Sequence, residues 1–436
     1  MLTLDNNRLL KDRVMNGGKH SLIAGLDIGT TKVSCFIAKI DQAETPRRVP
    51  LRVVGVGHQV SMGMRKSAVV DLDHVEDAIR AAVEAAENMA NTTIREVTVN
   101  LSAGHIASQC FQVPTQISDQ PVSEEDLRYL LSTLSGQYQP EGRIVVHAIP
   151  TTYAVDGNWG IKDPRGMFGD ELSVRMHMIT AARATVRNLA LCIERCHLEI
   201  VDLVASPYAS GLACLVDDEM ELGSVCIDMG GGTTTLAVFS DGMCVHLDVI
   251  PVGGIQVTND IARGLSTTLA SAERLKTLYG SALASPTDDR EMIDVPQIGE
   301  EDRHSPNHIP RSLLTGIIQP RMEEIFELVR DRLRNSGFEQ LASKRVVLTG
   351  GASQLTGARE VAARILEKNV RLARPLGLVG VADAAGGPAF STCAGLLSYI
   401  AFAPPEAIFV EQKAKIFKKD ERSQLARIGR WLKMNF

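Results

Sequence analysis

The sequence predicts an α/β protein built from two related lobes that face one ligand. Three glycine-bearing turns, each leaving an apolar run, carry that prediction. Residues 26–32 read Leu-Asp-Ile-Gly-Thr-Thr-Lys, and residues 227–235 read Ile-Asp-Met-Gly-Gly-Gly-Thr-Thr-Thr. Each follows an apolar run (22–26 and 225–227) and precedes another (33–38 and 236–239). Apolar run, aspartate, glycine turn, hydroxyl residues, apolar run is the pattern of a β-hairpin whose turn meets an anion. The third turn is 346–353, Val-Val-Leu-Thr-Gly-Gly-Ala-Ser, followed by a helix candidate at 357–367.

The residue types define the chemistry. Glycine lacks Cβ, so the backbone N–H groups of Gly29, Gly230, Gly231 and Gly232 can approach a phosphate closely. Thr30, Thr31, Thr233 and Thr234 add hydroxyl donors, and Lys32 adds a positive charge. Asp27 and Asp228 would repel a bare phosphate; their positions suit Mg²⁺ lying between carboxylate and phosphates with waters kept on the metal. Gly350, Gly351 and Ala352 form a turn against which a flat ring or a ribose can lie.

Along the chain, residues 1–20 are polar and read as disordered. Residues 21–102 read as strand, turn, strand, strand, helix, strand. Strands are expected at 53–59 and 97–101. The helix is expected at 72–89, capped by Asp71, with Val75, Ile79, Val83 and Ala86 in one stripe. Residues 103–179 change character: short strands at 107–113 and 143–155, a helix at 124–134, and a cluster of Gly and Pro at 159–169. This is a small α+β insertion. Helices follow at 184–196 and 206–215, with the stretch 199–205 between them. Residues 254–265 and 271–279 are helical, and 284–308 is a charged, aperiodic loop-and-strand excursion. A long helix at 313–334 carries the stripe Ile318, Met322, Ile325 and Val329. A helix at 391–401 ends the globular part.

The two hairpins and the third turn, in this order, resemble the actin, Hsp70 and hexokinase superfamily of ATP-binding proteins. The resemblance makes 27–32 a phosphate-1 loop, 228–235 a phosphate-2 loop and 348–353 an adenosine motif. Within that superfamily the chain is most similar to the bacterial cell-division FtsA family. Ile-Pro-Val-Gly-Gly at 250–254 with Val-Thr-Asn-Asp-Ile-Ala at 257–262 carries this closer likeness. So do Leu101-Ser102 leading into Gly104-His105-Ile106, the segments 174–180 and 193–196, and Pro-Val-Ser-Glu-Glu-Asp at 121–126. The likeness runs from residue 22 to the C-terminus. It implies a two-lobed actin-like ATPase fold with ribonuclease H-like lobes. The expected division is 21–102, 180–220 and 391–403 for the first lobe (1A), and 103–179 for the inserted subdomain 1C. Residues 221–253 and 344–390 form the second lobe (2A), 254–343 subdomain 2B, 404–421 a linker and 422–436 an amphipathic helix. The wider resemblance to Hsp70-like proteins implies that Glu273 and Lys276, three apart on one helix, reach the adenosine; a solvated Glu/Lys pair is the competing reading.

Composition narrows the function. The chain has 436 residues, enough for two or more domains, and a formal charge of −6, which does not favour a nucleic-acid partner. No apolar run reaches the ~18 residues that span a bilayer, and no secretory signal is visible. The eight cysteines are scattered, and Cys192, Cys196 and His197 lack the rest of a tetrahedral metal set.

The tail is distinctive. Residues 413–436 hold eight basic side chains and two acidic ones. At ~100° per residue, Leu425, Ile428, Leu432 and Phe436 share a face with Trp431 at its edge, and Arg422, Arg427, Arg430 and Lys433 lie opposite. A basic amphipathic helix with Trp and Phe is built to lie in the interface of an anionic membrane. Pro404-Pro405 and the charged segment 411–421 set it on a tether that reaches roughly 15–20 Å.

These features lead to a cytoplasmic protein that binds a phosphate ligand with Mg²⁺ between its lobes, and the resemblance implies that the ligand is ATP. The resemblance implies that it tethers FtsZ, through the C-terminal peptide of FtsZ, to the cytoplasmic face of the inner membrane at the division septum. It further implies self-assembly into polymers and recruitment of later division proteins. Hydrolysis is expected to be slow at most, since no residue is identified that would orient the attacking water. The rivals are a PilM-like adaptor of the same fold and an ATPase of the sugar-kinase or Hsp70 type.

Overall fold

The computed structural model describes residues 21–40, 51–102, 106–117, 120–138, 140–298, 307–341, 344–402 and 406. The expected disordered segment at 1–20 and the amphipathic helix at 422–436 lie outside the described residues.

The chain begins with β1 (Ser21–Ile28), β2 (Lys32–Ile40), β3 (Leu51–Val60), and the short pair β4 (Met64–Arg65) and β5 (Ala68–Val69). Helix α1 (Leu72–Ala90) follows, then β6 (Glu96–Leu101). Asp71 caps α1 by accepting from the N–H groups of Asp73 and His74, and Val75, Ile79, Val83 and Ala86 are buried. The next segment holds β7 (Ala107–Gln116), α2 (Glu124–Gln137), β8 (Arg143–Val155), β9 (Asn158–Ile161) and β10 (Glu171–Ala182). Helix α3 (Arg183–Arg195), β11 (Glu199–Ala205) and α4 (Ser206–Cys214) return to the first sheet.

The second half starts with α5 (Asp217–Leu222), β12 (Ser224–Met229), β13 (Thr234–Ser240) and β14 (Met243–Ile250). Helices α6 (Gly254–Gly264) and α7 (Leu269–Tyr279) follow, then the hairpin strands β15 (Met292–Val295) and β16 (Asn307–Pro310). Helix α8 (Arg311–Ser336), β17 (Arg345–Thr349), α9 (Ala358–Leu366), β18 (Asn369–Leu372), β19 (Leu378–Val379) and α10 (Ser391–Phe402) complete it.

The two main sheets have the same plan. The first runs β11-β6-β1-β2-β3-β19 and the second β14-β13-β12-β17-β18. In the first, β1 pairs antiparallel with β2 and parallel with β6, β2 antiparallel with β3, and β6 parallel with β11. In the second, β12 pairs antiparallel with β13 and parallel with β17, β13 antiparallel with β14, and β17 parallel with β18. Strand order and sense therefore repeat. The departure is β19, which crosses from the second half of the chain to add Leu378 and Val379 beside Leu51 and Arg52.

A third sheet, β7-β10-β8-β9, has its own core of Val145, Leu172, Val174, Met176 and Met178 under Leu130 and Leu131 of α2. Strand β10 lies inside it, where the sequence pattern predicts strands only at 107–113 and 143–155. Leu172, Val174, Met176 and Met178 alternate into that core.

One apolar core lies between the first sheet, α1 and α3. It continues through α4 to Cys226, Phe239, Cys244 and Leu247 of the second sheet. A second core fills the opposite face of the second sheet, under α6, α7, α8 and α9. Helix α10 is buried almost all round and packs on β1, β2, β6 and α4. It crosses α4 at Gly395, where a Cβ would overlap the carbonyl of Ala209.

Candidate functional site

The two glycine turns close in the same way. Gly29 N–H donates to the Lys32 carbonyl, and Gly230 N–H donates to the Thr233 carbonyl, both at 2.9 Å. Their tips meet across the interface between the sheets. A Cβ on Gly231 would strike the side chain of Thr31, and one on Gly232 would strike Thr30. Asp27 and Asp228 occupy matching register positions, opposite Ser34 on β2 and Thr235 on β13. The hydroxyls of Ser34 and Thr235 are buried without a hydrogen-bond partner among the described residues.

A cavity of about 160 Å³ lies where the turns meet. Asp27, Gly29, Thr30, Thr31, Lys32, Asp228, Gly230, Gly231, Gly232, Thr233, Gly350 and Gly351 all line it. Gly350 has φ +89°, and a Cβ there would strike Asp228 Oδ1. The third turn thus reaches the cavity because its glycine leaves room for the carboxylate.

Thr234 is turned away: fully buried, its hydroxyl donates to the Val252 carbonyl at 2.8 Å. Ala352, Glu273 and Lys276 stand outside the cavity wall. Lys276 Nζ donates to Glu273 Oε2 at 2.7 Å, to Thr258 Oγ1 at 2.8 Å and to the Gly254 carbonyl at 3.3 Å. Gly254 N–H in turn donates to the Gly230 carbonyl at 3.0 Å. The Glu273–Lys276 pair therefore braces the start of α6 directly behind the second turn, with Ala352 close to Gly254.

The charged groups are strongly perturbed. Burial pushes the Asp27 carboxyl up to about 7; Lys32 opposes this and Asp228 adds to it. Burial also raises Asp228, against hydroxyl bonds from Ser210 at 2.5 Å and Thr392 at 3.1 Å. Lys32 is pulled below its ordinary value by burial. Its ammonium donates to the Ala389 carbonyl at 2.5 Å and lies 3.3 Å over the centre of the Phe390 ring.

Several cavity residues escaped the sequence reading. Ser67 stands at φ +59° in the tight turn between β4 and β5, beside Lys66 at φ +49°. Its N–H donates to Thr30 Oγ1 at 2.9 Å, and its hydroxyl is 3.3 Å from Thr233 Oγ1, so it touches both hairpins. No glycine marks that turn. Ser206 lines the cavity at the first residue of α4, and the Ser-Pro start of that helix was a readable signal. Ser102, Thr235, Ala389 and Thr392 complete the wall.

Elsewhere, Cys192 and Cys196 direct their thiols to the carbonyls of Leu72 and Glu76. Among the described residues, no group of three or more His, Cys, Asp or Glu side chains is placed to hold a metal, and no helix is long and apolar enough to cross a membrane.

A family model described as cell division protein FtsA matches residues 225–395, and one described as the SHS2 domain inserted in FtsA matches 103–180. Over 427 residues the chain is 47% identical to the cell division protein FtsA of Rhizobium meliloti, with 96% of each chain covered. The chain belongs to the FtsA family of cell-division proteins. Its likeness to the FtsA of Escherichia coli is 33% over 421 residues, covering 95% of this chain and 96% of that one. Among solved structures, a chain of the PilM-PilN type IV pilus biogenesis complex superposes with a TM-score of 0.61 at 17% identity, covering 87% of this chain and 98% of its own. MreB5 of Spiroplasma citri bound to ADP superposes with a TM-score of 0.51 at 14% identity, covering 87% and 95%. At such identities the likeness establishes the shared actin-like fold, while the sequence relatives set the chain in the FtsA family rather than with the pilus proteins.

Proposed function

We propose that this FtsA-family chain binds ATP with Mg²⁺ between its two sheets and uses it as an assembly switch in a membrane tether for FtsZ. The observation that carries the nucleotide reading is the contact of two identically closed glycine hairpins above a buried carboxylate, Asp27, and a half-buried one, Asp228. The orphaned Thr235 hydroxyl beside Asp228, and an Asp27 carboxyl poised near neutrality, fit a cation with phosphates.

In this reading the N–H groups of Gly29–Lys32 and Gly230–Thr233 hold the phosphates, with Thr30, Thr31 and Thr233 donating hydroxyls. Asp27 and Asp228 would hold Mg²⁺ beside the phosphates, with Asp27 in its carboxylate form. Gly350, Gly351 and Ala352 hold the nucleoside, with Glu273 and Lys276 supporting that side through α6. Mg²⁺ and the triphosphate supply the charge that the cavity is shaped around. The wall offers no glutamate, glutamine or histidine to orient an attacking water among the described residues. That favours slow turnover. An actin-like neighbour solved with ADP supports the choice of nucleotide.

The lobe and subdomain boundaries read from the sequence are part of the proposal. The C-terminal peptide of FtsZ binds within 254–343. The segment 103–179 contacts neighbouring subunits in a polymer and later division proteins. Leu425, Ile428, Trp431, Leu432 and Phe436 enter an anionic leaflet while Arg427, Arg430 and Lys433 face its headgroups. The protein then sits peripherally on the cytoplasmic face of the inner membrane at the septum. Liposome flotation with purified FtsZ tests this: the full chain with Mg-ATP carries FtsZ up on anionic vesicles, and a chain lacking 422–436 does not. FtsZ left at the bottom by the floating full chain would overturn the tether.

A further inference from the structure

The third sheet is joined covalently to the first half of the molecule, since it follows β6 and runs into α3. Its β7, β8 and β10 nevertheless lie against β14, the edge strand of the second sheet. The contact is polar and specific. His177, fully buried on β10, has Nδ1 2.8 Å from the Cys244 carbonyl and Nε2 2.7 Å from Ser108 Oγ. Ser108 Oγ lies 3.3 Å from His246 Nδ1 and accepts the Leu247 N–H at 3.2 Å. Beside them, the Cys110 thiol donates to the Val245 carbonyl at 3.5 Å.

Only one proton arrangement satisfies this set. A carbonyl can only accept, so His177 carries its hydrogen on Nδ1 and leaves Nε2 as a lone pair. Ser108 therefore donates its single proton to His177 Nε2. The last bond must run the other way, from His246 Nδ1–H to Ser108 Oγ. His246 Nε2 is then a lone pair, and it is buried without a partner among the described residues. Burial pushes His177 down to about 3, which keeps it neutral and preserves the order. The His246 ring stacks on Phe338 at 5.2 Å with 13° between planes, and Phe338 packs against the second core.

We propose that the third sheet is a brace: Ser108, His177 and His246 clamp it to the edge of the second sheet, so that it spans both halves and limits how far the cavity between them opens. Any widening of the cavity displaces β14 relative to β6 and α3 and must break this joint. Neutral bonds that share members and are at least partly buried break together, because losing one partner strands the rest.

Ser108→Ala in the full chain strands His177 Nε2, His246 Nδ1–H and the Leu247 N–H at once. The buried Cys244 thiol on β14 is a native reporter of the joint. Its alkylation by iodoacetamide, mapped by mass spectrometry, is expected to rise roughly ten- to a hundredfold. Cys226 and Cys393, buried elsewhere, should stay slow. Amide exchange at the turn 230–233 should rise in the same variant, while β1 and β2 stay protected. An unchanged Cys244, a faster Cys244 without faster exchange at the turn, or a common rise of all three thiols each overturns the brace. If Ser108→Ala does not fold, Phe338→Leu, which removes only the ring stacked on His246, is read against the same outcomes.

Discussion

Asp27 and Asp228 share a register position but not an environment. Asp228 is held by the hydroxyls of Ser210 and Thr392, whereas Asp27 titrates near neutrality because burial favours its protonated form. Its pKa rises from 3.8 in the open chain to about 7 in the fold. The stability linked to its proton is therefore complete below the open-chain value and lost as pH climbs through the folded one. Asp27→Asn removes that loss. Without ligand, the variant should melt near the wild type at pH 4 and increasingly above it towards pH 8, in a series of thermal melts. A gap that narrows with rising pH would contradict the assignment. The same variant should lose the magnesium-dependent part of ATP binding. At the tip of the second hairpin, Gly231→Leu must push Thr31 aside, and ATP binding followed by calorimetry should vanish while circular dichroism stays native. Retained binding would remove the hairpin from the phosphate site.

Among the elements, those governed by local rules were readable from the chain. Helix α1 announced its cap at Asp71 and its buried stripe, and both hairpins announced their glycines. The alternation of Leu172, Val174, Met176 and Met178 was also present. The alternate positions Ser173, Arg175 and His177 are polar, but Ser173 and His177 are buried too, Ser173 on Glu171 of the same strand and His177 on partners outside it, so that side of β10 is not a solvated face. Ser67 was illegible for a different reason: a two-residue turn with both φ positive normally shows Gly or Asn, and Lys66-Ser67 shows neither. Lys276 was found, but spacing alone could not tell that it would bond Thr258 and the Gly254 carbonyl rather than face the cavity. Two predictions belong here. Gly395→Val forces α10 off Ala209 and should lower the melting temperature by several degrees, with loss of ATP binding; an unaffected melt would mean that the crossing tolerates bulk. Trp431→Glu should release the protein from anionic vesicles in flotation, and unchanged binding would refute the role of 422–436.

At the level of the whole molecule, the duplicated strand plan was implied by the repeated hairpin, but two long-range features were not. β19 returns to β3, and the third sheet leans on β14; both depend on pairings between segments far apart in the chain, which carry no local periodicity. Excising 103–179 should leave the two main sheets folded by circular dichroism. The edge of β14 is then uncovered, so the truncated chain should melt lower and self-associate in sedimentation experiments. A monodisperse truncated chain with an unchanged melt would mean that the third sheet gives the edge no cover.

Helix α10 has one end in the cavity wall. Ser391 bonds Thr349 at 2.6 Å, Thr392 bonds Asp228, and Lys32 sits on Phe390 just before it. Its other end, at Phe402, lies about 18 Å away along the twelve-residue helix. A displacement of Asp228 would pull on Thr392, the second residue of α10, so the cavity and the far end of this helix share one secondary element.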